Sequence, residues 1–470
     1  MNHECGVLGL YNVQKPANKA YNALYALQHR GQESAGIFVT NGESFQGYKN
    51  FGLVRQVFDE EAIDRLDQNE PRHAVGHVRY AGAKDNIVSN IQPMFFRHLR
   101  AEFAICSNGS ILNYDKLNHD LQNQGSIFQS TSNCEIMAHL LVRNSGTFLP
   151  ALQESLNTLV GSYCFVIMRK NRLYAVRDPK GFMPLCYGKL GDGYVVASES
   201  CALDMLGAEF VRDVEPGEIV EFNKDGVRSH RFAPKQAGAI CLMEYIYFAR
   251  PDSTVDGLNV HQARYQTGME LARESAVDCD WVIGVPDSAL AAAQGYAQAA
   301  GLPLQSGLIK NKYSGRSFIE PTNQKRRLAV QMKLSPIRYL IDGKSVTLVD
   351  DSIVRGTTVR QLIKMVREFG AREVHVRIAS PKMIGPCFYG VDSSDYNDLI
   401  GAKKSIEGIR EEIGADSLAF LSLPGLCKAL GLSQDQVCTA CYTEKYPTDL
   451  HDFEDFVQSL EVKKVPERWY

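Results

Sequence analysis

The feature that most constrains the fold is a segment in the second half of the chain, residues 348–358, with the sequence LVDDSIVRGTT. An apolar run leads into two adjacent acids, Asp350 and Asp351, and a turn of small residues precedes the helix-like run QLIKMVREF. Backbone N–H groups in such a turn and the positive end of the helix dipole favour a bound phosphate. The two carboxylates lie where sugar hydroxyls or a hydrated Mg²⁺ would bind. The segment therefore predicts a sugar-phosphate site, the alternative being an ordinary surface turn between strand and helix.

Length and composition place this segment in a two-domain globular protein. The chain has 470 residues, 44% of them hydrophobic and 22% charged, which is typical of soluble proteins with two domains. The net charge is −3, so the chain has no excess of basic residues and we expect no nucleic-acid partner. We also expect no membrane span and no secretory signal, because no apolar run is long enough and the first residues lack a charged region. The expected compartment is the cytoplasm, where the twelve cysteines are not expected to form a disulfide framework.

The pattern of the sequence changes near residue 235. Before it, short apolar runs alternate with turns and predict an antiparallel-rich α/β layer, with helices near residues 15–28, 133–144 and 149–158. After it, the runs WVIGVP, LPLQSGLI, SVTLVDD and VHVRIAS predict buried strands of a parallel, doubly wound sheet. Residues 231–240 are the predicted linker between the two parts.

Two further segments of the second half fit a phosphate site. VPDS, residues 285–288, ends a strand and is expected to start a helix with Asp287 or Ser288 as its N-cap; beside the acid pair, Ser288 is also a candidate partner for Mg²⁺ or pyrophosphate. Residues 310–335 form a long basic stretch that includes Lys310 and Lys333. Such a stretch is either a solvated loop or a mobile cationic lid over pyrophosphate.

The first half places a cysteine close to the start of the chain. Removal of Met1–Glu4 would make Cys5 the N-terminal residue, and its α-amino group could then act as the base for its thiol. By itself, Cys5 is better explained as an ordinary small apolar residue on a first strand. The motifs LQHRGQESAGI, GHVRY and SNG follow it in order.

These motifs carry a resemblance to known families. LVDDSIVRGTT is similar to the phosphoribosyl-pyrophosphate (PRPP) motif of type I phosphoribosyltransferases, and Cys5 with its following motifs resembles the glutaminase domain of class II amidotransferases. Together with YIYFARPDS (residues 245–253), the chain resembles the glutamine PRPP amidotransferase family over nearly its whole length. The resemblance implies an α/β fold class: a propeptide at 1–4, an N-terminal-nucleophile hydrolase (α+β) glutaminase domain at 5–235, and a type I phosphoribosyltransferase domain with a parallel sheet at 236–470.

The resemblance also implies a reaction and the roles of individual residues. Cys5 would release ammonia from glutamine, and the ammonia would displace pyrophosphate from PRPP to give 5-phosphoribosylamine, the first step of purine synthesis. Homo-oligomers (dimers or tetramers) and purine nucleotide inhibitors are expected partners. The implied catalytic residues are Cys5, Arg30, Asn108 and Gly109; those for glutamine are Arg79, Gly109 and Asn133; those for PRPP are Asp350, Asp351, Ser352, Arg355, Gly356, Thr357, Thr358, Lys310 and Lys333; and those for Mg²⁺ are Ser288, Asp350 and Asp351.

A second cysteine set suggests a metal centre. Cys438 and Cys441 form a CxxC motif, which in the cytoplasm is compatible with zinc, a redox pair or an iron–sulfur cluster. Cys241 and Cys387 stand where an iron–sulfur-containing subgroup of the family has its other ligands. The resemblance therefore implies a structural [4Fe–4S] cluster on these four cysteines, with free thiols as the alternative.

The chain departs from the family pattern in its glutamine site. Asn133 replaces the usual acid that pairs with the substrate ammonium, Gly82 replaces a threonine, and Ser107 replaces a histidine. In the predicted lid, Gln331 replaces a common basic residue. Two alternatives to a glutamine-using enzyme therefore stay open, namely a variant that relies on free ammonia and a non-catalytic PRPP-binding regulator.

Overall fold

The computed structural model describes residues 5–80, 86–99, 101–144, 146–311, 334–391 and 396–454. The predicted propeptide at residues 1–4 lies outside this part of the chain, as do Gly82, Gln331 and Lys333.

The first half consists of two antiparallel sheets flanked by helices. A seven-stranded sheet has the order β11-β9-β10-β1-β4-β2-β3, and a six-stranded sheet has the order β13-β12-β8-β7-β6-β5. The strands are β1 (Gly6–Tyr11), β2 (Ser34–Thr40), β3 (Phe45–Phe51), β4 (His73–Arg79), β5 (Met94–His98), β6 (Ala101–Asn108), β7 (Cys164–Arg169), β8 (Arg172–Arg177), β9 (Cys186–Leu190), β10 (Gly193–Ala197), β11 (Glu209–Asp213), β12 (Glu218–Asn223) and β13 (Gly226–Arg231). The helices are α1 (Pro16–Ala26), α2 (Val54–Val57), α3 (Glu60–Asp67), α4 (Tyr114–Asn123), α5 (Asn133–Arg143), α6 (Phe148–Leu156) and α7 (Ser200–Met205).

Strand β1 lies at the centre of this half. All six of its residues are buried, because it pairs with β4 and β10 within its own sheet and packs against β7 and β8 of the other sheet. In the register of β1 and β4, Gly6 lies opposite Val78. Cys5 and Arg79, the next residues outward, are therefore brought together at one end of the sheet. The predicted helices near 15–28, 133–144 and 149–158 are confirmed to within a few residues.

The second half contains a four-stranded parallel sheet with the order β17-β20-β21-β22. Its helix α11 begins at Thr357, directly after the turn that follows β20. The strands of this half are β14 (Ile240–Cys241), β15 (Thr254–Val255), β16 (Leu258–Asn259), β17 (Trp281–Gly284), β18 (Leu308–Lys310), β19 (Leu334–Pro336), β20 (Ser345–Asp350), β21 (Glu373–Ile378), β22 (Ser417–Phe420) and β23 (Val437–Cys438). The helices are α8 (Val260–Ser275), α9 (Leu290–Ala300), α10 (Arg338–Ile341), α11 (Thr357–Glu368), α12 (Ile400–Lys403), α13 (Ile406–Ile413), α14 (Leu423–Leu430) and α15 (Ala440–Thr443).

One predicted strand of the parallel sheet is wrong. LPLQSGLI was expected to be a buried strand of that sheet, but it contributes only an isolated bridge between Leu304 and Val282. Its end forms β18, which pairs antiparallel with β19 in a separate two-stranded sheet. Leu304 and Ile309 are exposed, and of the leucines and isoleucine in the run only Leu308 is buried in the core. The fourth strand of the sheet is instead β22, near the end of the described chain.

The two halves share one hydrophobic core where they meet. Phe182 of the first half stacks on Tyr389 of the second, with ring centroids 4.2 Å apart. Arg177 forms a bidentate ion pair with Asp256 at 2.7 and 2.8 Å across the same joint. Strand β13 ends at Arg231 and β14 begins at Ile240, so the predicted linker falls between them, while the domain limits themselves remain a prediction.

In the described part of the chain, every helix is too short or too polar to cross a bilayer.

Candidate active site

The acid pair lies at the carboxyl end of β20, the edge of a parallel sheet where ligands of α/β proteins bind. Asp351 is buried, and it accepts hydrogen bonds from the hydroxyls of Ser288 and Ser352, the latter at 2.6 Å. Its backbone N–H donates to the Asp350 carboxylate at 2.9 Å. Burial and the neighbouring Asp351 charge raise the pKa of Asp350 well above its usual value. Two adjacent carboxylates with this environment favour a bound cation, which would relieve their repulsion.

The VPDS segment takes a different form from the one predicted. Helix α9 begins at Leu290 with Ala289 at its N-cap and no side-chain cap, so neither Asp287 nor Ser288 is the N-cap. Ser288 instead donates to Asp351, and Asp287 forms an ion pair with Lys310. The VPDS motif therefore identified Ser288 as a residue of the candidate site and did not identify the start of the helix.

The turn after the acid pair ends at a glycine that no other residue replaces easily. Gly356 has φ +74° and precedes α11 directly. A Cβ on Gly356 would lie 2.8 Å from Cδ1 of Ile400. Thr357 and Thr358 form the exposed first residues of the helix, where free N–H groups can bind an anion. Arg355 points to Asp398 in an exposed ion pair and so lies on the rim of the site.

The predicted lid falls almost entirely outside the described residues. Lys310, at its start, is described and pairs with Asp287. Lys333 and Gln331 lie in the part of the chain that is not described, and their predicted roles stay predictions.

The second cluster surrounds Cys5, whose side chain is fully buried. Its thiol donates to the carbonyl of Tyr80 at 3.7 Å. Burial raises the pKa of this thiol to about 11, although the charge of Arg79 lowers it. A thiol in this environment needs a nearby base to become a nucleophile.

Arg30 holds the backbone beside the nucleophile. Its Nε donates to the Cys5 carbonyl at 3.3 Å, while its other nitrogens bind Glu199 at 2.7 Å and Glu244 at 2.6 and 2.9 Å. All three side chains are buried. Arg30 therefore contacts the main chain of Cys5, and its catalytic role stays a prediction.

Asn108 and Gly109, the residues predicted to form an oxyanion hole, lie together at the end of β6. The Asn108 side chain is fully buried, and neither of its amide atoms has a hydrogen-bond partner among the described residues. Gly109 has φ +107°, and a Cβ there would lie 2.3 Å from the Ser162 carbonyl oxygen. Unpartnered buried donors are costly unless a ligand binds them, so these residues favour a developing negative charge on a bound carbonyl.

Asn133 is joined to this cluster. It is the first residue of α5, and its Nδ2 donates to the Gly109 carbonyl at 2.9 Å. Its Oδ1 is buried without a partner among the described residues and is therefore an unused neutral acceptor. Ser107 accepts from the Cys134 thiol at 3.3 Å, and its carbonyl lies 3.1 Å from Nε2 of His77, so Ser107 is held by the protein itself.

The four cysteines of the second set face one apolar pocket at the joint of the two halves. Cys241 lies opposite Cys438 in the short parallel pairing of β14 and β23. Burial raises the pKa of the Cys438 thiol to about 12, and the pKa of the buried Cys241 thiol is raised further by the other three cysteines. The pocket is lined by Phe182, Met183, Cys241, Leu242, Met243, Met383, Cys387, Tyr389, Val391, Cys438, Ala440 and Cys441.

Sequence reasoning missed three buried charged residues, Glu199, Glu244 and Arg264, at or near the Cys5 cluster. Glu199 follows β10 in the unremarkable run ASES and binds His29 at 2.6 Å, Arg30 and the Ser253 hydroxyl at 2.6 Å. Glu244 and Arg264 lie near the YIYFARPDS segment, which only the resemblance to the family had singled out. No spacing rule singles these residues out, because their partners are far away in sequence.

Comparison with known proteins agrees with this two-part site. A family model described as a glutamine amidotransferase domain matches residues 77–205, and one described as a phosphoribosyl transferase domain matches residues 254–383. The amidophosphoribosyltransferase of Bacillus subtilis (strain 168) is 48% identical over 457 residues, covering 96% of this chain and 95% of that protein. The amidophosphoribosyltransferase of Staphylococcus aureus (strain Mu50 / ATCC 700699) is 46% identical over 460 residues, with coverages of 97% and 93%.

Solved structures give the same result. The structure of glutamine PRPP amidotransferase from B. subtilis complexed with ADP and GMP matches with a TM-score of 0.90 and 47% identity, covering 95% of this chain and 98% of that one. A structure described as the allosteric regulatory enzyme of purine biosynthesis matches with a TM-score of 0.91 and 47% identity, covering 95% and 97%. These similarities confirm the predicted fold class, a glutaminase domain followed by a phosphoribosyltransferase domain with a parallel sheet, and they confirm that the chain is an enzyme. Their extent over the whole chain places it in the amidophosphoribosyltransferase family, the glutamine amidotransferases whose pentosyl transfer opens purine synthesis.

Proposed function

We propose that this chain transfers ammonia from glutamine to PRPP, forming 5-phosphoribosylamine, glutamate and pyrophosphate. The observation that carries the proposal is the acid pair at the end of β20, fixed by Ser288 and Ser352 and followed by the glycine-led N-terminus of α11. The pair and the helix together suit a ribose that carries both a phosphate and a pyrophosphate.

Ammonia release is assigned to the Cys5 cluster. Once residues 1–4 are removed, the α-amino group of Cys5 takes the thiol proton, and the sulfur attacks the side-chain amide carbon of glutamine. Asn108 and the Gly109 N–H stabilise the oxyanion. The α-ammonium group returns its proton to the amide nitrogen as the C–N bond breaks, ammonia leaves, and water hydrolyses the thioester to glutamate and the free thiol. Arg79 would hold the substrate carboxylate in a bidentate pair.

Phosphoribosyl transfer is assigned to the second half. Mg²⁺ bound through Asp350, Asp351 and Ser288 would supply the positive charge that lets pyrophosphate leave. The N-terminal groups of Thr357 and Thr358 hold the ribose phosphate, and Lys310 lies at the rim, paired with Asp287. Ammonia attacks C1 of the ribose as the bond from C1 to pyrophosphate breaks, and a lid over residues 310–335 would exclude water.

We further propose a structural [4Fe–4S] cluster on Cys241, Cys387, Cys438 and Cys441. These four line one apolar pocket, and thiolates are the usual ligands of such a cluster. Four thiolates would suit a tetrahedral zinc ion equally well on chemistry alone. The positions of the four cysteines, which match those of an iron–sulfur subgroup of the family, support the cluster.

Pyrophosphate release tests the proposal. Purified protein is given PRPP and Mg²⁺ with either glutamine or ammonium, and mass spectrometry of the intact chain shows whether Cys5 is its first residue. Release with both nitrogen sources is expected. Release with neither would refute the proposal.

Asn133 supports a second candidate, an enzyme of the same family that works mainly with free ammonia. A neutral acceptor replaces the acid that would pair with the ammonium of glutamine, and hydrogen bonds to charged groups are worth about 1.5–3 kcal/mol. Release with ammonium but little release with glutamine would support this candidate.

The regulation, assembly and location of the chain are also proposals. Because the B. subtilis enzyme is seen with ADP and GMP, we propose purine nucleotides as inhibitors of this chain, one phosphate occupying the turn before α11. We also propose a homo-oligomer in the cytoplasm, with no nucleic-acid or membrane partner.

A further inference from the structure

A buried carboxamide, that of Gln92, connects the two chain segments of the candidate glutamine site. Gln92 lies between β4 and β5 and is 3% exposed. Its Oε1 accepts a hydrogen bond from the Ser107 N–H at 2.7 Å, and its Nε2 donates to the Ser132 hydroxyl at 3.4 Å. Ser107 directly precedes Asn108, and Ser132 directly precedes Asn133. One side chain therefore joins the segment with the candidate oxyanion donor to the segment with the candidate substrate acceptor.

On the β6 side, other side chains bind both polar groups of the Ser107 main chain. The N–H donates to Gln92, and the carbonyl lies 3.1 Å from Nε2 of the buried His77. The Ser107 hydroxyl and the Cys134 thiol also donate to Oε1 of Gln92, at 3.4 and 3.2 Å. The side-chain amide of Asn108 has no partner among the described residues, so its position depends on how the preceding residue is held.

On the α5 side, the same segment of chain binds two neighbouring residues. Ser132, which accepts from Gln92, is the N-cap of α5. Asn90 donates through Nδ2 to the Thr131 hydroxyl at 2.9 Å and accepts through Oδ1 from the Thr131 N–H at 3.0 Å. The start of α5, and with it Asn133, is therefore fixed to residues 90–92.

The backbone around Gln92 is itself fixed by the seven-stranded sheet. Nζ of Lys49 on β3 donates to the carbonyls on either side of Gln92, those of Ile91 and Pro93, the latter at 3.1 Å. Gly36 of β2 approaches so closely that a Cβ there would lie 2.3 Å from the Gln92 carbonyl oxygen. Because its backbone and both ends of its carboxamide are bonded, Gln92 can act as a rigid spacer.

We propose that Gln92 is a positioning residue of the glutamine site, whose carboxamide sets the separation between the Asn108 amide and Oδ1 of Asn133. The inference rests on the proposed function, because it assumes that these two groups contact glutamine. Asn133 closes the arrangement on its other side, where Nδ2 donates to the Gly109 carbonyl at 2.9 Å. The oxyanion donor and the substrate acceptor act together only if both fit one bound molecule, and a displacement of about 1 Å can lower a rate about a hundredfold.

Covalent labelling of Cys5 in the full-length protein tests this inference even where glutamine turnover is slow. Two reagents are compared: a diazoketone analogue of glutamine, which must bind as the substrate does, and iodoacetamide, which reports the reactivity of the thiol alone. The ratio of the two labelling rates is measured by mass spectrometry of the peptide that contains Cys5. Gln92→Met removes both hydrogen bonds at similar volume. Asn113→Leu is the matched control, because Asn113 is a buried amide of the same half that also bridges two residues, Thr158 and Val160.

Ser132→Ala is a second, smaller change, which keeps the bond from Ser107 to Gln92 and removes only the contact with α5. Its control is Ser405→Ala, which removes the N-cap of α13. Ser132→Ala is expected to weaken apparent binding of the diazoketone about threefold to tenfold with little change in the maximal labelling rate, because a single hydrogen bond that orients Asn133 is lost. Gln92→Met is expected to change both quantities, because Asn108 is displaced as well.

In Gln92→Met the ratio of labelling rates should fall about tenfold to a hundredfold, while ammonia-dependent pyrophosphate release and the KM for PRPP stay constant. Asn113→Leu should lower the melting temperature and keep the ratio. An unchanged ratio in Gln92→Met, an equal fall in Asn113→Leu, or unchanged binding in Ser132→Ala would overturn the inference. Failure of the proposed function is a different result, namely no pyrophosphate release from the wild type with either nitrogen source.

Discussion

At position 133 an amide lies beside Gly109, with Nδ2 donating to the Gly109 carbonyl and Oδ1 buried without a described partner. If Oδ1 faces the substrate ammonium, Asn133→Asp adds a charge there and should lower the KM for glutamine roughly tenfold to a hundredfold. Steady-state kinetics with glutamine and with ammonium measure the change. The ammonia-dependent rate and the KM for PRPP serve as controls and should stay constant. An unchanged KM for glutamine would remove Asn133 from the substrate site.

Asn108 has a separate prediction, because both of its amide atoms lack a described partner. Asn108→Ala should lower the glutamine-dependent kcat by about 10²–10³ and leave the ammonia-dependent rate intact, since an oxyanion donor acts only in the transition state. Asn113→Ala is the matched control, because the Asn113 amide is bonded at both ends, to Thr158 and Val160 at 2.9 and 3.1 Å. That control should lose stability rather than glutaminase rate. Equal loss of both rates in Asn108→Ala would argue against the oxyanion role.

At the scale of elements, the turn before α11 depends on one glycine. Gly356→Ala would place a non-glycine residue at a φ of +74°, with its Cβ only 2.8 Å from Ile400. A non-glycine residue in this left-handed backbone region lowers the stability of the fold by about 1–3 kcal/mol. The expected result is a higher KM for PRPP with both nitrogen sources, because the N–H groups of the turn are displaced.

Gly414→Ala separates the backbone strain from the effect on the site. Gly414 has φ +75° and ends α13, and a Cβ at this position would meet no other atom within 4 Å among the described residues. The substitution should lower the melting temperature of the protein without a change in the KM for PRPP. If both variants behave alike, the turn is not a phosphate site.

The helices and strands also show which parts of the fold can be predicted from the sequence alone. β20, the acid pair and α11 were predictable, because an apolar strand, two acids and an amphipathic helix are adjacent in the chain. LPLQSGLI was misassigned because the same apolar run can occur in a buried strand and in an exposed connection. Which segment becomes the fourth strand, here β22, depends on tertiary pairing that the sequence pattern does not show. Residues Glu244–Phe248 form a π-helical turn that was not predictable, since Arg264 and Arg30, which hold it, come from distant segments.

At the scale of the whole molecule, the joint between the halves contains a half-buried acid that destabilises it at neutral pH. Burial, followed by the charge of Asp256, raises the pKa of Asp213 to about 6. Because the folded pKa exceeds the unfolded value near 3.9, this group contributes stability that is fully present below about pH 4 and is lost as pH rises through 6.

Asp213→Asn should therefore raise the melting temperature at pH 8 and have little effect near pH 4. Thermal unfolding at both pH values measures the difference, and Asp192→Asn, at an exposed position, is the control that should change neither. A gain of the same size at pH 4 and pH 8 would show that the ionisation of Asp213 is not the cause.

The cysteine pocket brings residues from the start and from the end of the second half together beside the first half. Cys241 follows the linker, Cys438 and Cys441 lie almost 200 residues later, and Phe182 of the first half lines the same pocket. A bound cluster would stabilise the folded chain through its binding energy. Cys387→Ser should therefore lose visible absorbance and iron content after anaerobic purification and should melt at a lower temperature.

Cys427→Ser is the matched control for the cluster. It removes a buried thiol of α14 that does not line the pocket, so this variant should keep both iron and absorbance. Equal iron in the Cys387 and Cys427 variants would mean that the four pocket cysteines are ordinary core thiols. Packing around Phe182 and Tyr389 would then hold the halves together unaided.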